Sequence, residues 1–131
     1  MSQEDVAVVQ SAYEAFGRGD VQAIFALLHP EIELYQSEWV PWGGKYKGHE
    51  EVGYFFSKLN ETIESRVDPD QFIDDEEGHV VAVGHTRGSV RATRREFEVP
   101  VVHVWTIREG KVEKFEAYID TFQMRVALGL A

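Results

Sequence analysis

A chain of 131 residues that is 44% hydrophobic has the material for one domain, residues 1–131, with an apolar core, which excludes intrinsic disorder. It has no cysteine, which excludes disulfides and thiolate zinc sites, and its formal net charge of −10 disfavours nucleic acid and anionic membrane as partners. No apolar run is long enough to span a membrane and no signal-peptide pattern opens the chain, so a cytoplasmic location is the expectation.

Ser2-Gln3-Glu4-Asp5 has the form of a capping box, with Asp in place of the usual Glu or Gln. Behind it Val6, Val9, Tyr13 and Phe16 recur at helical spacing and give one apolar face. Gly17 and Gly19 end this helix, and Asp20 is a good N-cap for the next. Val21, Ile24, Phe25 and Leu28 make a second short amphipathic helix, stopped by Pro30. Glu31 to Gln36 alternates polar and apolar, as a short strand does.

A turn-rich segment from Ser37 to Gly48 follows, holding Trp39, Trp42 and Tyr46 among four Gly and Pro positions. From His49 to about Asn60, Val52, Phe55, Phe56 and Leu59 predict a third helix. Strands are expected at Ile63–Ile73 and His79–Arg91, separated by the charged turn Asp74–Gly78. A long strand begins within Arg94–Glu98, and a C-terminal helix runs from Thr121 to Leu130 with Asp120 or Thr121 as its cap. Helices segregated to one side of an antiparallel sheet make an α+β architecture.

The stretch Glu98 to Thr121 reads as a hairpin turning at Arg108-Glu109-Gly110. Its first strand, Val99 to Ile107, is almost continuously apolar and belongs at the centre of the sheet. Val101, His103 and Trp105 share one face. A two-residue loop would set His103 opposite Glu116; a three-residue loop would set it opposite Phe115 and align its face with Phe115, Ala117 and Ile119. A one-residue slip exchanges every side chain between faces. Keeping apolar side chains together therefore selects the three-residue loop and an inward His103.

Order and spacing of these motifs resemble the cone-shaped α+β family that includes nuclear transport factor 2, ketosteroid isomerase and SnoaL-like polyketide cyclases. The residues that carry it are Phe16-Gly17-Arg18-Gly19-Asp20, Gly44-Lys45-Tyr46-Lys47-Gly48, Val102-His103-Val104-Trp105 and the closing run Gly110 to Thr121. The resemblance implies a curved sheet wrapped around the N-terminal helices and a deep apolar cavity open at one end. It also implies a homodimer formed through the outer sheet face. By element order, Tyr35 falls near the position of the isomerases' aspartate base, Tyr13 lies one residue from their helix tyrosine, and His103 falls at their strand acid.

These positions define the candidate chemistry. A neutral His103 in a cavity could donate to an oxyanion or accept a proton; alternatively it is a core histidine satisfied by a backbone carbonyl. Tyr13 and Tyr35 would supply hydroxyl groups, while Trp39, Trp42, Phe55, Trp105 and Phe115 would pack on a small apolar ligand. Trp39, Trp42 and Tyr46 have a second reading, as anchors of their own loop. Glu38 is the one carboxylate near the missing base, Asp120 is most simply a helix cap, and the other histidines have no metal-ligand spacing. Neither a metal nor an organic cofactor is expected. Two functions stand: proton transfer, cyclisation or dehydration next to a carbonyl, or non-catalytic binding or protein interaction on the same fold.

Overall fold

The computed structural model describes residues 2–131, apart from the side chain of residue 2, so the cap expected of Ser2 lies outside the described residues. Helix α1 (Ser2–Arg18) buries Val9, Ala12 and Ala15. It ends in a Schellman motif: Gly19 N–H donates to Phe16 O and Asp20 N–H to Ala15 O, with Gly19 at φ 71°. Asp20 then caps α2 (Val21–Leu27), its side chain accepting from Ala23 N–H at 3.1 Å.

Strand β1 (Leu28–Gln36) begins directly after α2. Pro30, expected as the stop of that helix, lies inside β1 instead. It falls where the pairing with the neighbouring strand β6 (Lys111–Ile119) is interrupted, between Leu28 and Glu33, so its missing N–H breaks no ladder bond. The turn-rich segment ends in a short strand, β2 (Gly44–Lys47), which pairs with β1. Helix α3 (Gly48–Thr62), strands β3 (Ile63–Asp74), β4 (His79–Val90) and β5 (Glu96–Arg108), then β6 and α4 (Thr121–Ala127), complete the chain. Asp120 caps α4 by accepting from Gln123 N–H at 3.0 Å, and the helix stops three residues short of the expected Leu130.

The six strands form one curved, unclosed sheet in the order β2-β1-β6-β5-β4-β3. All neighbours are antiparallel except β1 and β6, which run parallel. Helices α1 and α3 lie against the concave side, so this is the α+β arrangement read from the sequence. Along β5, Phe97, Val99, Val101, His103, Trp105 and Ile107 are buried in strict alternation. Each fully buried large apolar side chain of such a stripe contributes about 1.5–3 kcal/mol. Among the described residues no helix is long and apolar enough to cross a membrane.

The β5–β6 hairpin corrects one expectation and keeps its consequence. Arg108 pairs with Lys111, so the loop has two residues, Glu109 and Gly110, at φ 51° and 78°. Two positive φ values in succession fit the tight primed turn that matches strand twist. The register then shifts once, between Thr106 and Ile107, leaving Glu113 as the extra residue of a bulge on β6. Beyond it Trp105 pairs with Phe115, His103 with Ala117 and Val101 with Ile119. His103 is therefore opposite Ala117, not Phe115. Its stripe still shares a face with Phe115, Ala117 and Ile119, because the bulge supplies the one-residue offset assigned to the loop.

Removing Glu113 would join Val112 directly to Lys114 and leave the pairs on either side unchanged. The single-residue deletion is expected to fold, with a loss of about 1 kcal/mol or less in urea denaturation. A deletion variant without a cooperative transition would show that the bulge is needed for the curvature of the sheet.

Candidate functional site

Between the concave face and the helices lies an apolar cavity of about 110 Å³. Its wall includes Phe16 from α1, Ile32 and Leu34 from β1, Val52, Phe55 and Phe56 from α3, and Met124 from α4. Among the described residues no aspartate, glutamate, lysine or arginine lines it. Its side chains with polar atoms are Tyr13, Gln36, Trp42, Ser65, Thr86, His103 and Trp105.

Three of these form one chain. The Trp105 indole N–H donates to the Tyr13 hydroxyl oxygen at 3.0 Å, and that hydroxyl lies 2.7 Å from His103 Nδ1. A tryptophan N–H can only donate, so the Tyr13 oxygen accepts there and its own proton is free for Nδ1. Were Nδ1–H the donor instead, the Tyr13 proton would have no acceptor among the described residues, so hydrogen-bond pairing favours the tautomer with the proton on Nε2. The rings reinforce it. The Tyr13 and His103 ring planes are nearly parallel with centroids 5.8 Å apart, Trp105 meets Tyr13 edge-on at 5.4 Å, and Phe115 packs on His103 at 4.9 Å and on Trp105 at 4.5 Å.

His103 is 7% exposed. Burial pushes its imidazole from the usual 6.5 down to about 4, because the charged form loses its hydration in an apolar wall. Burial likewise raises the Tyr13 phenol, an effect partly offset by the Trp105 hydrogen bond. Both groups are therefore neutral near pH 7, and the partner of His103 is Tyr13 rather than Glu116. In this tautomer His103 lines the cavity as a neutral N–H donor in a wall without ionised side chains among the described residues. Glu116 points outward, accepting from Tyr118 O–H at 2.6 Å.

The aromatic residues of the sequence divide. Trp42, 2% exposed, lines the cavity with Tyr13, Phe55, Trp105 and Phe115. Trp39 does not: it is 68% exposed, with the Arg125 guanidinium 5.4 Å above its ring. Tyr46 anchors its own loop, donating to Trp42 O and Gly43 O at 2.9 and 3.0 Å. Tyr35 is turned away as well. Ile32 and Leu34 point inward, so alternation sends Tyr35 to the convex face, where its ring lies 5.9 Å from that of Tyr118. Glu38 is exposed and outside the cavity wall.

The same alternation brings in a residue not singled out from the sequence. Gln36, next after Tyr35, is 4% exposed and lines the cavity, and its amide nitrogen has no hydrogen-bond partner among the described residues. Its signal lies in the spacing Ile32, Leu34, Gln36, which continues the inward row. No three His, Cys, Asp or Glu side chains cluster among the described residues in a way that could hold a metal ion.

The neutral state of His103 has a consequence for stability. Above pH 6.5 the imidazole is neutral both folded and unfolded, and it adds no pH dependence. As pH falls from 6.5 towards 4, the unfolded chain binds a proton that the folded protein refuses, so stability is lost. Between pH 7 and pH 4.5 the wild type should lose about 2–3 kcal/mol more than His103→Phe, read from denaturant unfolding across pH. Parallel pH profiles for the two proteins would contradict a desolvated imidazole.

The chain matches the SnoaL-like domain family over residues 9–115. No match is found among curated protein sequences. An NTF2-like protein of unknown function from Burkholderia pseudomallei superposes with a TM-score of 0.89 at 29% identity, covering 95% of this chain and 97% of that one. An NTF2-like protein from Burkholderia xenovorans does so with a TM-score of 0.85 at 32% identity, covering 98% of each chain. A protein with a ketosteroid isomerase-like fold from Catenulispora acidiphila is similar at 16% identity, with 95% and 93% of the two chains covered and a TM-score of 0.82, which shows the fold alone. With the family matched over residues 9–115, the chain belongs to the SnoaL-like family of the NTF2-like superfamily.

Proposed function

We propose that the protein binds a small, neutral, largely apolar molecule in this cavity, anchored through one oxygen that accepts the Nε2–H of His103. The observation that carries this reading is the Trp105–Tyr13–His103 hydrogen-bond chain in a wall with no ionised side chain among the described residues. A buried donor left unmatched costs about 1–3 kcal/mol, so a ligand oxygen at that point gains more than its apolar contacts alone provide. The cavity volume sets the size. A space of about 110 Å³ is somewhat smaller than the engineered apolar cavity of about 150 Å³ that accepts benzene. A single ring is the natural occupant, and a steroid-sized molecule would need the aromatic walls to move.

Catalysis is the second reading, and the same donor favours it. A neutral imidazole N–H aimed at a ligand carbonyl stabilises negative charge developing on that oxygen. Proton transfer also needs a base. With no carboxylate in the wall and His103 held in its weakly basic form, binding is the function the geometry supports first.

A second copy of the chain is the partner we propose for the convex face. Val81, Val83, Val102 and Val104 are half-buried there, with Ile73 and Tyr118 exposed beside them. Both charge signs flank this stripe, Arg66 and Arg87 with Asp68 and Lys114 with Glu116, as a self-complementary surface requires.

Cyclohexanone and benzene, titrated against the tryptophan fluorescence, separate the anchor from the apolar contacts. His103→Phe should weaken cyclohexanone by about tenfold and leave benzene within twofold. Equal effects on both would remove His103 as the anchor. Light scattering at micromolar concentration should report a dimer that Val104→Glu dissociates; a monomer mass for the wild type would rule out the second copy.

A further inference from the structure

We propose that Gln36 is a specificity-determining residue of the cavity, selecting ring-sized neutral ligands that carry a second hydrogen-bond acceptor opposite the one held by His103. This rests on the reading of the cavity as a ligand site and adds to it the chemical class of the ligand.

The position of Gln36 is set by the sheet. Ala117 of β6 pairs with Gln36 of β1 on one side and with His103 of β5 on the other. The three residues form one row, with Cα atoms of Gln36 and His103 about 10 Å apart across two strand spacings. All three are buried and line the concave side. Ala117 is the smallest member, so the floor between the two polar side chains is open. Phe115 and Ile119, two residues to either side on β6, wall the slot.

The chemistry is set by what Gln36 lacks. Its amide has no hydrogen-bond partner among the described residues and no neighbour fixes which way it faces, so a turn of the amide presents its N–H to the cavity, while Thr86, another buried polar side chain of the wall, already donates to Arg66 O at 3.3 Å. A leucine would fill a similar volume in this apolar row without the penalty of an unmatched donor. A donor kept at that point is explained by an acceptor that arrives with the ligand. With Gln36 and His103 both donating across the slot, the complementary molecule has an acceptor on each side of one ring. It is uncharged, because no ionised side chain lines the cavity among the described residues.

Cyclohexanone and its para-diketone analogue have the same ring and differ by one acceptor. The wild type should bind the diketone about tenfold more tightly than cyclohexanone, a preference that Gln36→Leu abolishes. Without ligand, Gln36→Leu should melt about 4 °C higher, since the unmatched donor is gone. A variant that melts lower, or that keeps the diketone preference, overturns the proposal. Cyclohexanone binding that depends on His103 but shows no diketone preference overturns only the role of Gln36. Failure of both ketones to bind the wild type overturns the ligand site itself, and the proposal with it.

Discussion

The hydrogen bond from the Tyr13 hydroxyl to His103 Nδ1 is the contact on which the chemistry of this molecule turns. It joins helix α1 to the central strand β5 across the interior, at 2.7 Å. It also decides which nitrogen faces the cavity as a donor. Trp105, two residues along the same strand face, donates to the Tyr13 oxygen and leaves the Tyr13 proton with His103 Nδ1 as its acceptor. A hydroxyl that accepts from indole and donates to imidazole is satisfied on both sides, which an apolar interior requires of a polar group.

That donor has a direction because the sheet holds it. The β5 stripe and the apolar face of β6 coincide because the bulge at Glu113 reconciles them with a two-residue turn. Tight-turn geometry and burial make competing demands on register, and inserting one unpaired residue satisfies both. The parallel junction of β1 with β6 then sets Gln36 beside Ala117, completing the polar row. Narrowness follows from the same packing. Phe55, Trp105 and Phe115 line a cavity of only about 110 Å³.

Much of this was legible in the sequence because strong local signals agreed. Gly19 followed by Asp20 marked one helix end and the next helix start, and the structure uses both. Val101, His103 and Trp105 read as one face and are one face. Burial of that face was readable, but the bulge was not, since nothing at Glu113 distinguishes an extra residue from a paired one. Strand β2 was hidden in Gly44-Lys45-Tyr46-Lys47, whose glycine and lysines carry no strand signal; its pairing with β1 supplies the order. Tyr35 is a candidate by residue type and element order alone. Pleat direction decides against it and brings in Gln36, because a polar residue closing an apolar alternation looks like the end of a strand rather than the wall of a cavity.

The protonation state of His103 is the claim on which the account rests, and nitrogen-15 NMR of the histidine side chains observes it directly. At pH 7 the His103 ring should show the neutral tautomer with hydrogen on Nε2 and an unprotonated Nδ1 shifted by the Tyr13 hydrogen bond, and it should stay neutral down to about pH 5. A ring protonated on Nδ1, or a doubly protonated imidazolium at pH 6, would contradict the hydrogen-bond chain and the neutral donor built on it.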